Sequence, residues 1–391
     1  MALLTERVWQ ETNFFASLAG MKMRAAVLDA IGEVPKVREI DVAEPSGDEV
    51  LVKVAAAGIC HSDLTAVTVG FGEPLPLVPG HEVAGEVVAV GPGVVGLTAG
   101  DHVVACEVEH CGYCTNCVRG RPQFCRNAAS THRAAADGPA LSENGRSVHQ
   151  MAHVGGFAEY MLVHRNVLAR VPAEVPWDKA AVLGCAVATG AGAAINTAGV
   201  RVGDTVAVVG CGGVGLSAIQ GAAIAGARRV IAVDINPAKT GLALKFGATH
   251  VVDASQADPV EAVKELAGGY GVDYALDTAG LPATEQQAYR MVAEGGTFLV
   301  VGIPRPGTRF DVDVLGDLMD LGRRGVAIRP VYMGSTNVKV DIGLYAELYL
   351  QGRFNLDDLV SGRVALGELD KGFELLRSGT VARAVITDFT R

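Results

Sequence analysis

The chain has 391 residues, of which 49% are hydrophobic and 19% charged, and this globular composition excludes a disordered protein because it offers ample apolar surface for burial. The net charge is -10 at pH 7, and the sequence has no Lys- or Arg-rich run that could bind along a phosphate backbone. Nucleic acid is therefore not an expected partner. At about 150 residues per domain, the length predicts two domains.

Residues 1–22 precede the first strand-like pattern and carry charged side chains at Glu6, Arg7 and Glu11. The stretch lacks the long apolar run of a signal peptide or of a membrane span. We therefore predict an N-terminal surface arm at 1–22, no membrane partner and a cytoplasmic location.

Residues 23–186 are predicted to form an irregular, β-rich domain. Short β-branched or alternating runs, such as 50–55 and 86–90, are separated by Gly and Pro, a pattern typical of strands joined by turns. The polar stretch at 126–153 contains an Asn144-Gly145 turn signal, which predicts a hairpin or excursion from this domain.

Four cysteines form a CxxCxxCx7C run inside a lobe at about 106–126, namely Cys111, Cys114, Cys117 and Cys125. This spacing predicts one tetrahedral zinc with Zn–S distances of about 2.3 Å, and four thiolates leave no open position for substrate. The zinc is therefore expected to hold a loop. Two disulfides are the competing interpretation, disfavoured because such short loops strain the bridge and nothing else in the sequence looks secreted.

Beyond Pro176, helix-length segments alternate with short apolar runs, which is the βαβ pattern. Buried strands are predicted at 205–209, 229–233, 274–276 and 297–301. Their hydrophobic character predicts a doubly wound parallel sheet covered on both faces, in a domain at 187–327. Residues 328–391 end in a predicted helix near 369–378 and a strand near 383–387, and we expect them to return to the first domain.

Gly210, Gly212 and Gly215 form a GxGxxG run with Gly213 and Val214 inside it, directly after the strand at 205–209 and at the start of an Ala-rich helix. This context predicts a dinucleotide-binding turn. The first glycine would permit the tight turn, the second the approach of backbone to a pyrophosphate, and the third close packing of helix on strand. The helix N-terminus would offer unpaired N–H groups to the phosphates.

Asp234 closes the next predicted strand. A carboxylate there would accept hydrogen bonds from both adenosine ribose hydroxyls and repel a 2′-phosphate, which favours NAD over NADP. Lys239, one helical turn further on, is expected to support the ribose. The alternative is a Gly-rich helix cap followed by an ordinary surface aspartate.

Three further residues have the chemistry of a catalytic zinc site, although spacing alone does not join them. They are Cys60 in GICHSD, His81 in GHE and Cys185 in LGCAVAT. With these segments, the cysteine lobe and the glycine loop in this order, the chain resembles the zinc-dependent alcohol dehydrogenases of the medium-chain dehydrogenase/reductase family over residues 23–391. The resemblance implies a GroES-like β-rich catalytic domain combined with a Rossmann domain, and two zinc ions per chain. Cys60, His81 and Cys185 would hold the catalytic zinc with one position open.

The resemblance also implies roles for residues beside this zinc. Asp63 would orient His81, as metal-bound imidazoles generally require, and Glu82 would be a transient or outer partner of the ion. Ser62 would take the substrate proton and pass it toward the cofactor ribose. Many relatives continue this relay with a histidine where this chain has Thr65, so the relay is expected to finish through water.

Further residues are assigned to the cofactor by the same resemblance. His61 and Arg383 would contact the pyrophosphate, and Thr189, Val214 and Val301 would line the nicotinamide. Glu107 stands near a position where many relatives have an aromatic pocket wall, and this departure weakens any transfer of substrate preference.

The other cysteines and histidines have blander interpretations. A lone cysteine in an apolar stretch, as Cys185 would be without the family context, is usually a small buried hydrophobe. Core or loop packing is expected for Cys106 and Cys211. Ordinary surface or core positions are expected for His102, His110, His132, His149, His153, His164 and His250.

The sequence thus predicts an NAD-linked, zinc-containing alcohol dehydrogenase that transfers hydride from a zinc-bound alkoxide to NAD, giving an aldehyde or ketone reversibly. A homodimer formed through the Rossmann sheets is implied by the resemblance, and a tetramer is common among bacterial relatives. Two enzyme alternatives stay open: a nicotinoprotein that retains its NAD, and a thiol-adduct formaldehyde dehydrogenase. An inactive NAD-binding protein and a zinc-free reductase are the remaining alternatives.

Overall fold

The computed structural model describes residues 20–304 and 322–391, so most of the predicted N-terminal arm lies outside the described residues. The described residues form three sheets: one of six parallel strands, one of seven strands and one of five. The α/β fold class with a doubly wound parallel sheet is therefore confirmed. The predicted domain boundaries themselves stay predictions.

The six-stranded parallel sheet has the order β13-β12-β11-β14-β15-β16, which is the doubly wound arrangement with its switch point beside β11. Its strands are β11 (Thr205–Val209), β12 (Arg229–Asp234), β13 (His250–Asp253), β14 (Val272–Asp277), β15 (Val292–Val300) and β16 (Ala327–Pro330). Four of them match the predicted strands. Both edge strands were missed because each is short and mostly accessible to solvent, so neither shows the continuous apolar run of a buried parallel strand.

The seven-stranded sheet is built around one long strand, Glu49–Ile59, which pairs with three neighbours. Its strands are β3 (Glu49–Ile59), β5 (Glu82–Val90), β6 (His102–Ala105), β9 (Tyr160–His164), β10 (Leu168–Arg170), β17 (Val360–Ala365) and β18 (Arg383–Asp388). The pairing of β18 with β3 brings the end of the chain beside its beginning. Arg383 is placed next to the residues before the first helix in this way.

The five-stranded sheet has the order β1-β2-β7-β8-β4. Its strands are β1 (Met21–Val27), β2 (Lys36–Val42), β4 (Leu77–Val78), β7 (Leu141–Glu143) and β8 (Arg146–Gln150). The last two form an antiparallel hairpin closed by Asn144 and Gly145, both with positive φ. The hairpin expected in the polar stretch is therefore present.

Ten α-helices are found among the described residues: α1 (His61–Thr68), α2 (Thr115–Val118), α3 (Trp177–Ala181), α4 (Ala186–Gly192), α5 (Gly213–Ile224), α6 (Pro237–Lys245), α7 (Pro259–Leu266), α8 (Pro282–Met291), α9 (Val338–Leu350) and α10 (Leu369–Ser378). Within the described residues no single helix is both long and apolar enough to cross a membrane. The consecutive segments Trp177–Gly184 and Ala186–Ala198 pass that test only together, bent by 52°, and α4 within them is wholly buried in the protein.

The helices α4 and α5 pack closely against each other. A Cβ at Gly190 would lie 2.1 Å from the Val214 carbonyl oxygen, and one at Gly221 would lie 2.7 Å from the Ala191 Cα. Only glycine is therefore compatible with this approach. Because α4 begins directly after Cys185, the contact places that cysteine beside the glycine loop that opens α5.

Candidate functional site

Three buried side chains that are distant in sequence converge at one place in the structure. Cys60, His81 and Cys185 place their potential ligand atoms within 4.8 Å of one another. Each stands at the start of an element: Cys60 precedes α1, His81 precedes β5 and Cys185 precedes α4. The structure thus brings together the three residues that the resemblance joined.

Asp63 fixes the orientation of two of these residues. Its Oδ1 lies 3.0 Å from His81 Nδ1 and accepts a hydrogen bond from the Gly80 N–H at 3.1 Å, and its Oδ2 accepts from the Cys60 N–H at 2.8 Å. A carboxylate at Nδ1 holds the imidazole proton there and leaves the Nε2 lone pair free. His81 Nε2 is buried and has no hydrogen-bond partner, as expected of an atom that faces a metal ion.

The electrostatics of the three donors suit a divalent cation. The hydrogen bond with Cys185 holds the pKa of the Cys60 thiol well below its usual value, against the effect of burial and with help from Arg383 and His81. The same hydrogen bond, together with burial, raises the pKa of Cys185. A divalent ion bound between these two sulfurs would stabilise both as thiolates. These donors fit zinc, whose preferred ligands are cysteine sulfur and histidine nitrogen.

Glu82 and Arg383 form a buried ion pair next to this cluster. Arg383 Nε lies 3.4 Å from Glu82 Oε2, and Glu82 Oε1 accepts a hydrogen bond from the Ala186 N–H at 2.8 Å. Burial raises the pKa of Glu82 to about 7, although Arg383 opposes the shift. A Cβ at Gly58 would lie 2.0 Å from Glu82 Oε2, so glycine is needed there to accommodate the carboxylate.

Arg383 also contacts the glycine loop. A Cβ at Gly213 would lie 2.9 Å from Arg383 Nη2, and Arg383 Nη1 donates a hydrogen bond to the Ile59 carbonyl at 3.2 Å. One guanidinium therefore touches Glu82 beside the cysteine–histidine cluster and the loop at the start of α5. Arg383 therefore contacts both the candidate metal site and the candidate cofactor site.

The glycine loop has the geometry that its motif predicts. Gly210 adopts φ +93°, which favours glycine, and a Cβ at Gly215 would lie 1.8 Å from the Gly210 carbonyl oxygen. A Cβ at Gly212 would meet no atom within 4 Å, so the space beside this backbone is open to a ligand. Thr278, which follows β14, donates hydrogen bonds to the carbonyls of Val209 and Gly210 at 3.0 and 2.9 Å.

Asp234 lies at the end of β12 and faces this loop. Its Oδ2 accepts a hydrogen bond from the Cys211 N–H at 2.8 Å and its Oδ1 accepts from the Asn236 N–H at 2.9 Å. Each carboxylate oxygen can accept a second hydrogen bond. The two backbone contacts therefore orient Asp234 and leave it able to accept from a ribose.

His61 and Lys239 stand near the same end of the loop. Desolvation lowers the pKa of the His61 imidazole. The charge of Cys60 opposes this shift, and the positive charges of Arg383 and Lys239 add to it. A Cβ at Gly379 would lie 3.3 Å from Lys239 Nζ. Three basic side chains thus lie within electrostatic reach of one another where a pyrophosphate would bind.

The predicted relay residues differ in their surroundings. The Cys60 sulfur lies 3.7 Å from Ser62 Oγ, so this hydroxyl is beside the cluster. Thr65 Oγ1 donates a hydrogen bond to the His61 carbonyl at 3.0 Å within α1. Its own proton is therefore engaged, and this hydroxyl can take part in a proton relay only as an acceptor. Thr189 Oγ1 lies 3.4 Å from Met333 Sδ.

The two valines assigned to the nicotinamide lie at the ends of neighbouring elements. Val214 is in the first turn of α5, and Val301 directly follows β15. The Val301 N–H donates to the Asp277 carbonyl at 2.9 Å. Both positions are on the carboxyl side of the parallel sheet, where ligands of such folds bind.

The cysteine lobe has the geometry of a closed tetrahedral site. The sulfur atoms of Cys111, Cys114, Cys117 and Cys125 lie within 4.8 Å of one another, with recorded separations of 3.5, 3.9 and 3.9 Å. A tetrahedron with Zn–S distances of about 2.3 Å has edges of about 3.8 Å. All four cysteines are free thiols, so the alternative of two disulfides is wrong.

Backbone amides support thiolates in this lobe. The N–H groups of Cys111 and Asn127 donate to Cys125 Sγ at 3.3 Å, and that of Cys114 donates to Cys111 Sγ at 3.4 Å. Backbone N–H donors, chief among them that of Arg126, lower the pKa of Cys114 to about 6. The backbone of the loop is thus arranged to stabilise negative charge on the cysteine sulfurs.

Some residues near the site were missed or undervalued. Thr278 carries no motif, but its place after the strand next to β11 could have identified it, because ligands bind at the carboxyl ends of such strands. Burial lowers the pKa of His81, but the negative charges of Asp63 and Glu107 raise it well above its usual value. Glu107 therefore lies close to the cluster. Tyr332 donates a hydrogen bond to the Glu107 carbonyl at 3.4 Å. Cys106 and Cys211 are fully buried, as expected.

Two protein-family models match the chain. The alcohol dehydrogenase GroES-like domain matches residues 46–173, and the zinc-binding dehydrogenase domain matches residues 213–346. The first covers most of the β-rich region together with the cysteine lobe, and the second begins within the glycine loop.

Known proteins resemble the whole chain. An NDMA-dependent alcohol dehydrogenase of Amycolatopsis methanolica is 37% identical over 370 residues, which cover 94% of this chain and 99% of that protein. A geraniol dehydrogenase of Castellaniella defragrans is 35% identical over 93% of this chain and 97% of its own length. The crystal structure of benzyl alcohol dehydrogenase from Acinetobacter calcoaceticus superposes with a TM-score of 0.87 at 35% identity, covering 94% of this chain and 100% of that one.

Proposed function

The chain belongs to the zinc-type medium-chain dehydrogenase/reductase family and to its oxidoreductases that act on alcohols, and from this premise we propose that it is a zinc-dependent, NAD-linked alcohol dehydrogenase. The observation that carries the proposal is the convergence of Cys60, His81 and Cys185 beside the glycine loop, with the buried Nε2 of His81 unpartnered. The reaction interconverts an alcohol with its aldehyde or ketone.

The three converging residues would hold the catalytic metal, and Asp63 would keep His81 in the tautomer that a metal requires. Bound zinc would polarise the alcohol oxygen as a Lewis acid, and bound NAD would accept the hydride from the carbinol carbon. Ser62 would receive the hydroxyl proton, a role supported by the 3.7 Å distance between its Oγ and the Cys60 sulfur. Thr65 can accept a hydrogen bond but its own proton is engaged by the His61 carbonyl, so water completes the path to solvent.

The cofactor would lie along the glycine loop with its pyrophosphate at the N-terminus of α5. Arg383 and Lys239 supply positive charge there, which favours two phosphates, and the neutral ring of His61 can donate a hydrogen bond. Asp234 would bind the adenosine ribose and disfavour a 2′-phosphate. The second zinc would occupy the cysteine lobe, where it holds a loop. We further propose a homodimer formed through the parallel sheets.

The substrate class is proposed to be primary alcohols with an unsaturated or aromatic group. This choice rests on the names of relatives that act on geraniol and on benzyl alcohol. A screen of aliphatic, allylic and aromatic alcohols with NAD, followed by formation of reduced nicotinamide, tests it. Turnover confined to saturated short-chain alcohols would refute this substrate class.

The cofactor assignment has its own test. Asp234→Ser should raise the KM for NAD about tenfold, because it removes about 1.4 kcal/mol of binding to the ribose, with little change in kcat. Asp253→Ser is the matched control, since Asp253 ends the neighbouring strand in register with Asp234. An unchanged KM in the Asp234 variant would refute the ribose assignment.

A second candidate is an enzyme that retains its NAD and returns the hydride to a second substrate. The NDMA-dependent relative favours it. Purified protein that releases nicotinamide on denaturation, and oxidises alcohol with NDMA but without added NAD, would establish this candidate. The glutathione adduct of formaldehyde belongs in the same assay, because it tests the remaining enzyme alternative.

A further inference from the structure

A third group of metal-ligating side chains lies outside the two zinc-type clusters. Glu109, His132 and His153 place potential ligand atoms within 4.8 Å of one another. His132 Nε2 lies 3.2 Å from Glu109 Oε1 and 3.4 Å from Oε2. The rings of His132 and His153 stack with centroids 4.0 Å apart and an angle of 21°. None of the sequence motifs predicts this grouping.

The three residues come from separate segments. Glu109 lies between β6 and the cysteine lobe, and His132 follows the short turn Ala128–Thr131. His153 belongs to the turn Met151–His153, in which Ala152 and His153 both have φ near +50°. Such a conformation is unfavourable for residues other than glycine and persists only where the surroundings hold it. The turn therefore presents His153 in a fixed direction.

Contacts around the turn explain what holds it. The Ala152 N–H donates to Glu73 Oε1 at 3.3 Å, and the N–H groups of Val154 and Gly155 donate to the Met151 carbonyl at 2.9 and 3.2 Å. The Met151 side chain is anchored in the core. Glu73 also places a second carboxylate near the His153 imidazole, which makes the local potential more favourable for a cation.

We propose that Glu109, His132 and His153 form a third metal site, which takes a divalent transition-metal ion, with zinc as the expected occupant. Two imidazoles and one carboxylate are ligands that zinc commonly has. Both imidazoles are exposed to solvent, so the ion exchanges with solvent and completes its coordination with water. Binding it would tie the segment before the cysteine lobe to the turns at 128–131 and 151–153. The site neither shares a residue with the proposed catalytic cluster nor depends on its function.

Equilibrium dialysis of the zinc-loaded enzyme against buffered micromolar zinc, followed by metal analysis, tests the site. We expect the wild type to hold one zinc per chain more than His132→Ala and one more than His153→Ala. His250→Ala, a histidine on the edge strand β13, is the matched control and should hold as much zinc as the wild type. Because the prediction concerns a difference of one ion, it stands apart from whether the catalytic and structural sites are filled.

Glu109→Gln separates metal binding from simple ring stacking. The variant keeps both imidazoles and loses only a charge, so the affinity for the additional zinc should fall about tenfold or more while the unfolding temperature without added zinc stays close to that of the wild type. Added zinc should raise the unfolding temperature of the wild type but not of His132→Ala. Equal zinc content in the wild type and both histidine variants would overturn the proposal, since the three residues would then form only a surface hydrogen bond and a stacked pair.

Discussion

The two zinc-type clusters differ in how the chain builds them. The cysteine lobe takes all four sulfurs from one segment of 111–125, and its cysteines are partly exposed. The second cluster takes three ligands from widely separated segments, all buried, and leaves His81 Nε2 without a protein partner. A local, saturated cluster can only stabilise the loop that carries it, whereas a distant, incomplete cluster can bind a further ligand and do chemistry.

The largest difference between the clusters should appear in turnover. Cys60→Ser removes one of three ligands that would supply several kcal/mol of charge stabilisation, and about 4 kcal/mol corresponds to roughly a 10³-fold change in rate. We expect kcat to fall at least that far, with the unfolding temperature nearly unchanged. Steady-state kinetics and a thermal melt on the same preparation measure both.

Cys106→Ala is the control for this variant. Cys106 is another fully buried cysteine in the same core cluster as Cys60, and it has no place in either zinc-type group. It should keep wild-type turnover while losing some stability through the small cavity. If Cys60→Ser retained most of its activity, the buried cluster would not be catalytic.

Cys114→Ser should show the opposite pattern. Loss of one thiolate opens the closed site, and we expect about 3–5 kcal/mol less free energy of unfolding together with one zinc fewer per chain. Turnover per folded molecule should fall far less than in Cys60→Ser. Denaturant unfolding with metal analysis measures the effect, and an equal loss of activity in both variants would abolish the division of labour between the clusters.

How far each cluster was predictable follows from the same contrast. The CxxCxxCx7C spacing of the lobe is a local signal, so its geometry could be read from the sequence, as could the glycine loop between β11 and α5. Cys60, His81 and Cys185 have no such spacing, because strand pairing and the packing of α4 on α5 bring them together. Only resemblance to a family could join them.

What the sequence did not predict depends on tertiary contacts. The edge strands His250–Asp253 and Ala327–Pro330 lack buried runs. The grouping of Glu109 with His132 and His153 depends on two turns, one of them with positive φ at non-glycine residues. Neither feature follows from local residue preferences, because the surroundings determine both.

A smaller effect should follow from weakening the support of the buried cluster without removing a ligand. Asp63→Asn keeps the side-chain shape but loses the charge that holds the proton on His81 Nδ1, and such changes typically cost 10- to 100-fold in metal affinity or activity. Zinc loss to a chelator and kcat should both respond within that range. Asp48→Asn, which alters an ion pair with Arg165 at 2.7 Å in the same domain, should change neither.

The smallest effect is expected at Glu107, whose charge reaches the buried cluster from the segment that leads into the lobe. Burial raises the pKa of Glu107, and the negative charges of Cys60 and Asp63 add to this shift while His81 opposes it. At alkaline pH the carboxylate is ionised and disfavours removal of a proton from a neighbouring alcohol.

A nearby unit charge in a partly screened site is worth on the order of 1 kcal/mol, just under one pKa unit. Glu107→Gln should therefore shift the rising limb of kcat/KM against pH by about 0.7 unit toward acid, with zinc content and unfolding temperature unchanged. The variant keeps the volume of the side chain and removes only its charge, so an unchanged pH profile would mean that the charge of Glu107 does not act on the buried cluster.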